Sequence, residues 1–219
     1  MNKVAVLLSG NGAFDGAEIN EAVLTLLAIE ESGLEYQVFA PNRNQHQVIN
    51  HITGNEMFEI RNIMVEAARI ARGNIQPVTE CKASDFSALF VVGGLGVAKN
   101  FSNFTLKGSN LSIQQDISFV CHDFKNIKKP VGYMCIAPVL LPLIYGEGVL
   151  VTIGHDKDTA ACIESFGGQH KFTDVDQTVT DFENKVVTTP AYMLASSISE
   201  AKKGIDKLVR EVKKLICKE

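Results

Sequence analysis

The sequence runs to 219 residues, 46% of them hydrophobic and 21% charged, with 21 basic against 25 acidic side chains for a net charge of −4. That size and apolar content suffice for a single domain over residues 1–219 built on one large core. The charge balance leaves no basic footprint for nucleic acid. No apolar run nears the ~20 residues that cross a bilayer, and the richest, residues 138–145, is short and broken by Pro142. Five cysteines (Cys81, Cys121, Cys135, Cys162 and Cys217), with no Cys-x-x-Cys among them, offer neither a disulfide framework nor a paired metal motif. They lead to the reducing cytosol as the expected compartment.

The first ten residues carry one positive charge and only five consecutive apolar residues, too few for a signal peptide, so residues 4–8 read as a first buried strand. Ile19, Val23, Leu26 and Leu27 recur at helical spacing and predict a helix over 18–32 that stops at Gly33. Residues 36–40 before Pro41 form a second strand. Residues 62–72, with Ile63, Ala67 and Ile70 on one face and Gly73 behind them, form a second helix. A third strand over 88–92 runs into Gly93-Gly94-Leu95-Gly96.

Residues 113–129 are helical up to the break at Pro130, and a fourth strand over 131–134 ends in an abrupt turn at Cys135. A fifth strand over 149–153 precedes a short helix over 159–166, closed by Gly167-Gly168. Residues 178–181 and 185–189 flank Phe182-Glu183-Asn184 as a hairpin. The last helix, about 195–217, aligns Ile198, Ile205, Leu208, Val209, Val212 and Leu215 on one stripe. Such alternation means a mostly parallel sheet with helices on both faces. Ligands in such sheets sit beyond the carboxyl ends of the strands, which singles out the loops 9–18, 93–102 and 134–138.

The first of these, Gly10-Asn11-Gly12-Ala13-Phe14-Asp15, resembles a dinucleotide loop but has Asp15 where the third glycine belongs, and a carboxylate there opposes a pyrophosphate. Gly94-Leu95-Gly96-Val97-Ala98-Lys99 fails in the same way, and no Walker-type loop is present. Cys135 is more informative. Between a strand and a helix, a thiolate gains from the helix start and main-chain N–H groups can face a developing oxyanion. The other reading of Cys135 is a small buried core residue. Its flanks, Tyr133 and Ala137, are bulkier than a Gly-x-Ser-x-Gly elbow prefers.

Gly16-Ala17-Glu18 after strand one, strand–Gly-Gly-x-Gly and the strand–cysteine turn together resemble the PfpI-like branch of the class I glutamine amidotransferase-like superfamily. Within it, Asp15-Gly16-Ala17-Glu18-Ile19, Ala98-Lys99-Asn100, Met134-Cys135-Ile136-Ala137-Pro138 and Val187-Thr188-Thr189-Pro190-Ala191-Tyr192-Met193 look like the ElbB-type glyoxalases, or enhancing lycopene biosynthesis proteins. The resemblance covers about residues 3–208. It implies an α/β, flavodoxin-like three-layer sandwich with a small β-hairpin, and glyoxalase activity that needs neither metal nor glutathione. It makes Cys135 the nucleophile and Glu18 the carboxyl facing it, while the Gly93-Gly94-Leu95 turn and the main chain after Cys135, at Ile136, form the oxyanion pocket. Glu18 by itself is equally a first-turn acid suited to the helix dipole.

The chain departs from parts of the superfamily. Ile136 stands where many PfpI-like relatives place a histidine, and no His-x-Glu occurs, which argues against peptidase-like and glutaminase chemistry. His155, after the fifth strand, is the remaining base candidate. The resulting expectation is a cofactor-free, cysteine-dependent enzyme converting glyoxal or methylglyoxal to 2-hydroxy acids, with no metal, nucleic acid or membrane partner. A homodimer is expected by resemblance alone. The rival is a non-catalytic, redox-responsive or interaction protein with Cys135 as its sensor thiol.

Overall fold

The computed structural model describes residues 3–104 and 111–217. Strand β1 (Lys3–Leu7) leads into helix α1 (Ile19–Glu31), and β2 (Glu35–Ala40) follows. Two short strands, β3 (Val48–Ile49) and β4 (Glu56–Met57), make an antiparallel hairpin ahead of α2 (Ile63–Ile70) and β5 (Ile75–Pro77). After β6 (Leu89–Val91) comes a π-helical turn, Val97–Phe101, and then α3 (Gln115–Asn126) and β7 (Val131–Met134). A 3-10 turn, Ala137–Leu140, passes directly into the short α4 (Leu141–Tyr145). Strand β8 (Leu150–Val151), α5 (Lys157–Ser165) and β9 (Gln169–His170) follow. The chain closes with β10 (Val179–Asp181), β11 (Val186–Thr189) and the long α6 (Ile198–Ile216).

Seven strands form one sheet in the order β10-β11-β7-β6-β1-β2-β5, parallel throughout except for the β10–β11 hairpin. Helices cover both faces, with α1, α2 and α6 packed together and α3 against α4, so the flavodoxin-like sandwich is the observed fold. The central strands β1, β6 and β7 are buried along almost their whole length, as their unbroken apolar sequences require. From β1 the chain builds outward through β2 to β5, then returns to β6 on the other side of β1. That reversal opens a crevice at the carboxyl ends of β1, β6 and β7, where Leu7, Val91 and Tyr133 stand in register.

Three sequence readings change. The fifth strand is shorter than 149–153 and lies outside the main sheet, pairing in parallel with β9 as a separate two-stranded sheet. β5, with only three residues and a proline, carried too little pattern to be read, yet it forms the sheet edge. Helix α1 turns a partly different face inward: Leu26 is buried as its spacing suggested, but Ile19, Val23 and Leu27 are exposed, while Glu21, Ala22, Leu24, Thr25, Ala28 and Ile29 are buried.

Candidate active site

The three loops singled out by sequence meet above the crevice. The Glu18 N–H donates to Gly93 O at 3.0 Å, and the Leu95 and Gly96 N–H groups donate to Ala13 O and Gly16 O at 2.8 and 2.9 Å. Asn100 staples this layer from within: buried, its Nδ2 donates to Ser9 O and Asp15 O at 2.8 and 2.9 Å, while its Oδ1 accepts the His46 N–H. Asp15 is buried as well, and its Oδ2 accepts the Ile49 N–H at 2.7 Å, tying the β3–β4 hairpin to the loop. A Cβ at Gly12 would lie 2.8 Å from both Asp15 and His51, so the loop packs closely on these two side chains.

Cys135 ends β7 with φ of +58°, a left-handed conformation that costs a non-glycine residue roughly 1–2 kcal/mol. The turn holds because the Cys135 N–H donates to Thr189 O at 3.1 Å, fixing the residue to the end of β11. Main-chain groups of Gly94 and Ile136 lie close to the sulfur and favour its ionised form. Burial and the neighbouring Glu21 carboxyl outweigh them, so the thiol is pushed well above its ordinary range. The expected help from main-chain donors is present, but the expected helix start is slight. Only a 3-10 turn and a five-residue helix follow Cys135, and the side chain is just 7% exposed.

The carboxyl brought onto Cys135 is Glu21, which the sequence reading passed over. Glu21 is fully buried on α1, and burial pushes its acid up to about 8, with the nearby Glu18 charge adding to the effect. Its Oε1 accepts the Tyr192 N–H at 3.1 Å. Oε2 has no hydrogen bond of regular geometry, although Glu21 interacts with both the Cys135 thiol and the Gly93 main chain. Burial thus favours the protonated acid, and with an N–H already donating to Oε1, Oε2 is the oxygen left free to carry a proton. Gly93 makes this closeness available: a Cβ there would stand 2.4 Å from Glu21 Oε2 and 3.1 Å from Cys135 Sγ.

Glu18 has a different place from the one expected. It is the N-cap of α1, its Oε2 accepting the Glu21 N–H at 2.7 Å. Desolvation lifts its pKa, while the N–H groups of Glu21, Asn20 and Ile19 pull it down. Among the expected oxyanion groups, Gly94 and Ile136 do face the sulfur and Gly93 faces Glu21, but the Leu95 N–H is already consumed by Ala13 O. His155 is half-exposed, 3.9 Å from Asp174 and beside the Phe172 ring; its described contacts include neither Cys135 nor Glu21. All five cysteines are free, and among the described residues no three His, Cys, Asp or Glu side chains gather as a metal site.

No family model matches the chain. The rat protein "ES1 protein homolog, mitochondrial" is 37% identical over 97% of this chain and 84% of its own length. The human "Glutamine amidotransferase-like class 1 domain-containing protein 3, mitochondrial" is 38% identical over 97% of this chain and 83% of its own. A crystal structure from Ehrlichia chaffeensis, described as an isoprenoid biosynthesis protein with an amidotransferase-like domain, superposes with a TM-score of 0.92 at 35% identity, covering 98% of this chain and 99% of that one. The mitochondrial names of these relatives overturn the expectation of the cytosol. Free thiols call for reducing surroundings without saying which reducing compartment supplies them. With such identity over nearly its whole length, the chain belongs to the ES1 family of glutamine amidotransferase-like class 1 domain proteins.

Proposed function

We propose that the chain is a cysteine-dependent glyoxalase acting on small dicarbonyls, with Cys135 as nucleophile and Glu21 as the proton carrier. The observation that carries this reading is the buried pair itself: a thiol on a strained turn, two main-chain donors at its sulfur, and a protonated carboxyl beside it. Loss of one proton from the pair leaves the Glu21 carboxylate next to the Cys135 thiol, and transfer of the thiol proton to Glu21 as the substrate arrives supplies a thiolate beside a carboxylic acid. The thiolate adds to the aldehyde carbon of glyoxal or methylglyoxal, and the Glu21 proton passes to the aldehyde oxygen, giving a hemithioacetal and a Glu21 carboxylate.

That carboxylate removes the hydrogen from the thiol-bearing carbon and returns it to the neighbouring carbon, while the hydroxyl proton moves from the first oxygen to the second. The product is a thioester of a 2-hydroxy acid. Water cleaves the thioester, releasing glycolate or lactate and freeing the sulfur. The N–H groups of Gly94 and Ile136 support the negative oxygen in between. Burial of the pair restricts the substrate to a few atoms and keeps water from competing with the sulfur.

The test is chiral product analysis: purified protein is given methylglyoxal without glutathione, and lactate is followed by enzymatic assay. Steady lactate production that disappears in Cys135→Ala supports the reading. A folded protein that makes none, yet accumulates oxidised Cys135 under mild peroxide, supports the sensor role instead.

A further inference from the structure

We infer that the strained turn Pro190–Ala191–Tyr192 is a positioning device for the Glu21 proton: the Tyr192 N–H occupies Oε1 and so leaves Oε2, the oxygen facing Cys135, as the one that carries the hydrogen. The inference rests on the reading of Glu21 as the proton carrier and adds the element that aims it.

Four observations carry it. Ala191 is fully buried with φ of +43°, a conformation that an alanine keeps only where its surroundings hold it. The turn is closed by its own bonds, Met193 N–H to Pro190 O at 3.0 Å and Leu194 N–H to Ala191 O at 3.0 Å. The Tyr192 N–H takes no part in that closure and points outward to Glu21 at 3.1 Å. The tyrosine is also tied at its far end, where its hydroxyl accepts a hydrogen bond from Asn20 Nδ2 at 3.3 Å, next to Glu21 on α1.

The turn leaves β11 directly after Thr189, whose carbonyl holds the Cys135 N–H. One strand end thus places both members of the pair. A free carboxylic acid has two equivalent oxygens and populates both hydroxyl positions. An N–H donor fixed on one of them removes that freedom, because the protonated oxygen would meet the N–H hydrogen head-on. Tyr192 acts through Glu21 and touches no reacting atom, so it is a positioning residue.

The experiment replaces Tyr192 by its α-hydroxy analogue through nonsense suppression, converting the Tyr192 N–H to an ester oxygen and keeping the ring. The same exchange at Leu194 removes a bond that only closes the turn. Cys135 alkylation by iodoacetamide is followed against pH by peptide mass spectrometry, alongside lactate production from methylglyoxal. Removing a donor to a carboxylate favours its protonated form, and a neutral Glu21 no longer repels the thiolate, so the ester at 192 should move the alkylation midpoint downward, by about one pH unit. Lactate production at neutral pH should fall roughly tenfold. The Leu194 ester should lower the melting temperature without moving the midpoint.

An unmoved midpoint in the folded 192 ester overturns the inference. If that ester does not fold, the amide proton of Tyr192 in the unaltered protein is followed by NMR. Its shift should titrate together with Cys135 alkylation, and a flat shift through that range overturns the inference equally. A moved midpoint in a protein that makes no lactate keeps the positioning role and removes the glyoxalase reading, so the two fail separately.

Discussion

Glu21 and Cys135 meet across Gly93, which has no side chain to hold them apart: a Cβ there would stand 2.4 Å from both Glu21 Oε2 and Cys135 Cβ. Gly93→Ala should therefore wedge the pair open. Both neighbours are buried and held by main-chain bonds, so neither can retreat cheaply. A loss of ~10²-fold or more in turnover is expected from misplacing the reacting groups, with ~1–3 kcal/mol of stability lost to overpacking. Urea unfolding and the lactate assay check the two effects separately.

Cys135→Ala should abolish dicarbonyl turnover, on the order of 10³-fold or more for loss of a covalent nucleophile. The fold should persist, because alanine meets the same left-handed strain and keeps the N–H that bonds Thr189 O. Residual turnover above a trace, with native circular dichroism, would place the nucleophile elsewhere.

The two carboxyls on α1 separate by their variants. Glu21→Gln keeps shape and polarity but cannot carry a proton, and should lose roughly 10²–10⁴-fold in turnover. Glu18→Gln keeps an oxygen to cap the Glu21 N–H and should lose far less, whereas Glu18→Ala removes the cap at a cost of about 1 kcal/mol in stability. His155→Asn, on the surface beside Asp174, should stay near the unaltered rate. Equal losses in Glu18→Gln and Glu21→Gln would return Glu18 to the role the family resemblance gave it.

Glu21 also leaves a mark on stability. In the unfolded chain its acid releases the proton near 4.5, whereas in the fold it keeps it to about 8. Between those values the native state binds more protons, so the contribution of Glu21 to stability falls as pH rises, by up to about 1.4 kcal/mol per pH unit, and levels off above the folded value. Glu21→Gln removes this slope. Urea unfolding at pH 5.5 and 7.5 should show the variant gaining on the unaltered protein by a few kcal/mol over that interval; parallel behaviour would mean that Glu21 is ionised in the fold.

Much of the molecule was legible because its signals are local. Unbroken apolar runs marked β1, β6 and β7, Phe182-Glu183-Asn184 marked the hairpin between β10 and β11, and the break after Met134 marked Cys135. Alternation of strands and helices then fixed which ends of the strands carry the loops, and those loops do converge. β8 deceived because an apolar run states that a strand is buried and not which sheet it joins.

Which carboxyl faces the thiol was not local. Helix α1 is apolar on nearly every side, so its period allows two inward faces. The stripe Ile19, Val23, Leu27 looks like a core face and would turn Glu21 toward water. Packing against α6 and the sheet instead buries Glu21, Ala22, Thr25, Ala28 and Ile29 and leaves that stripe exposed. The sequence by itself determined the order of the central strands and the main helices, the cysteine turn and the glycines that let main chain approach it. Only the tertiary structure decided that Glu21 is the acid: its burial, its raised pKa and the Tyr192 N–H that orients it all come from segments far apart in the chain, and no local pattern records what such segments exclude from water.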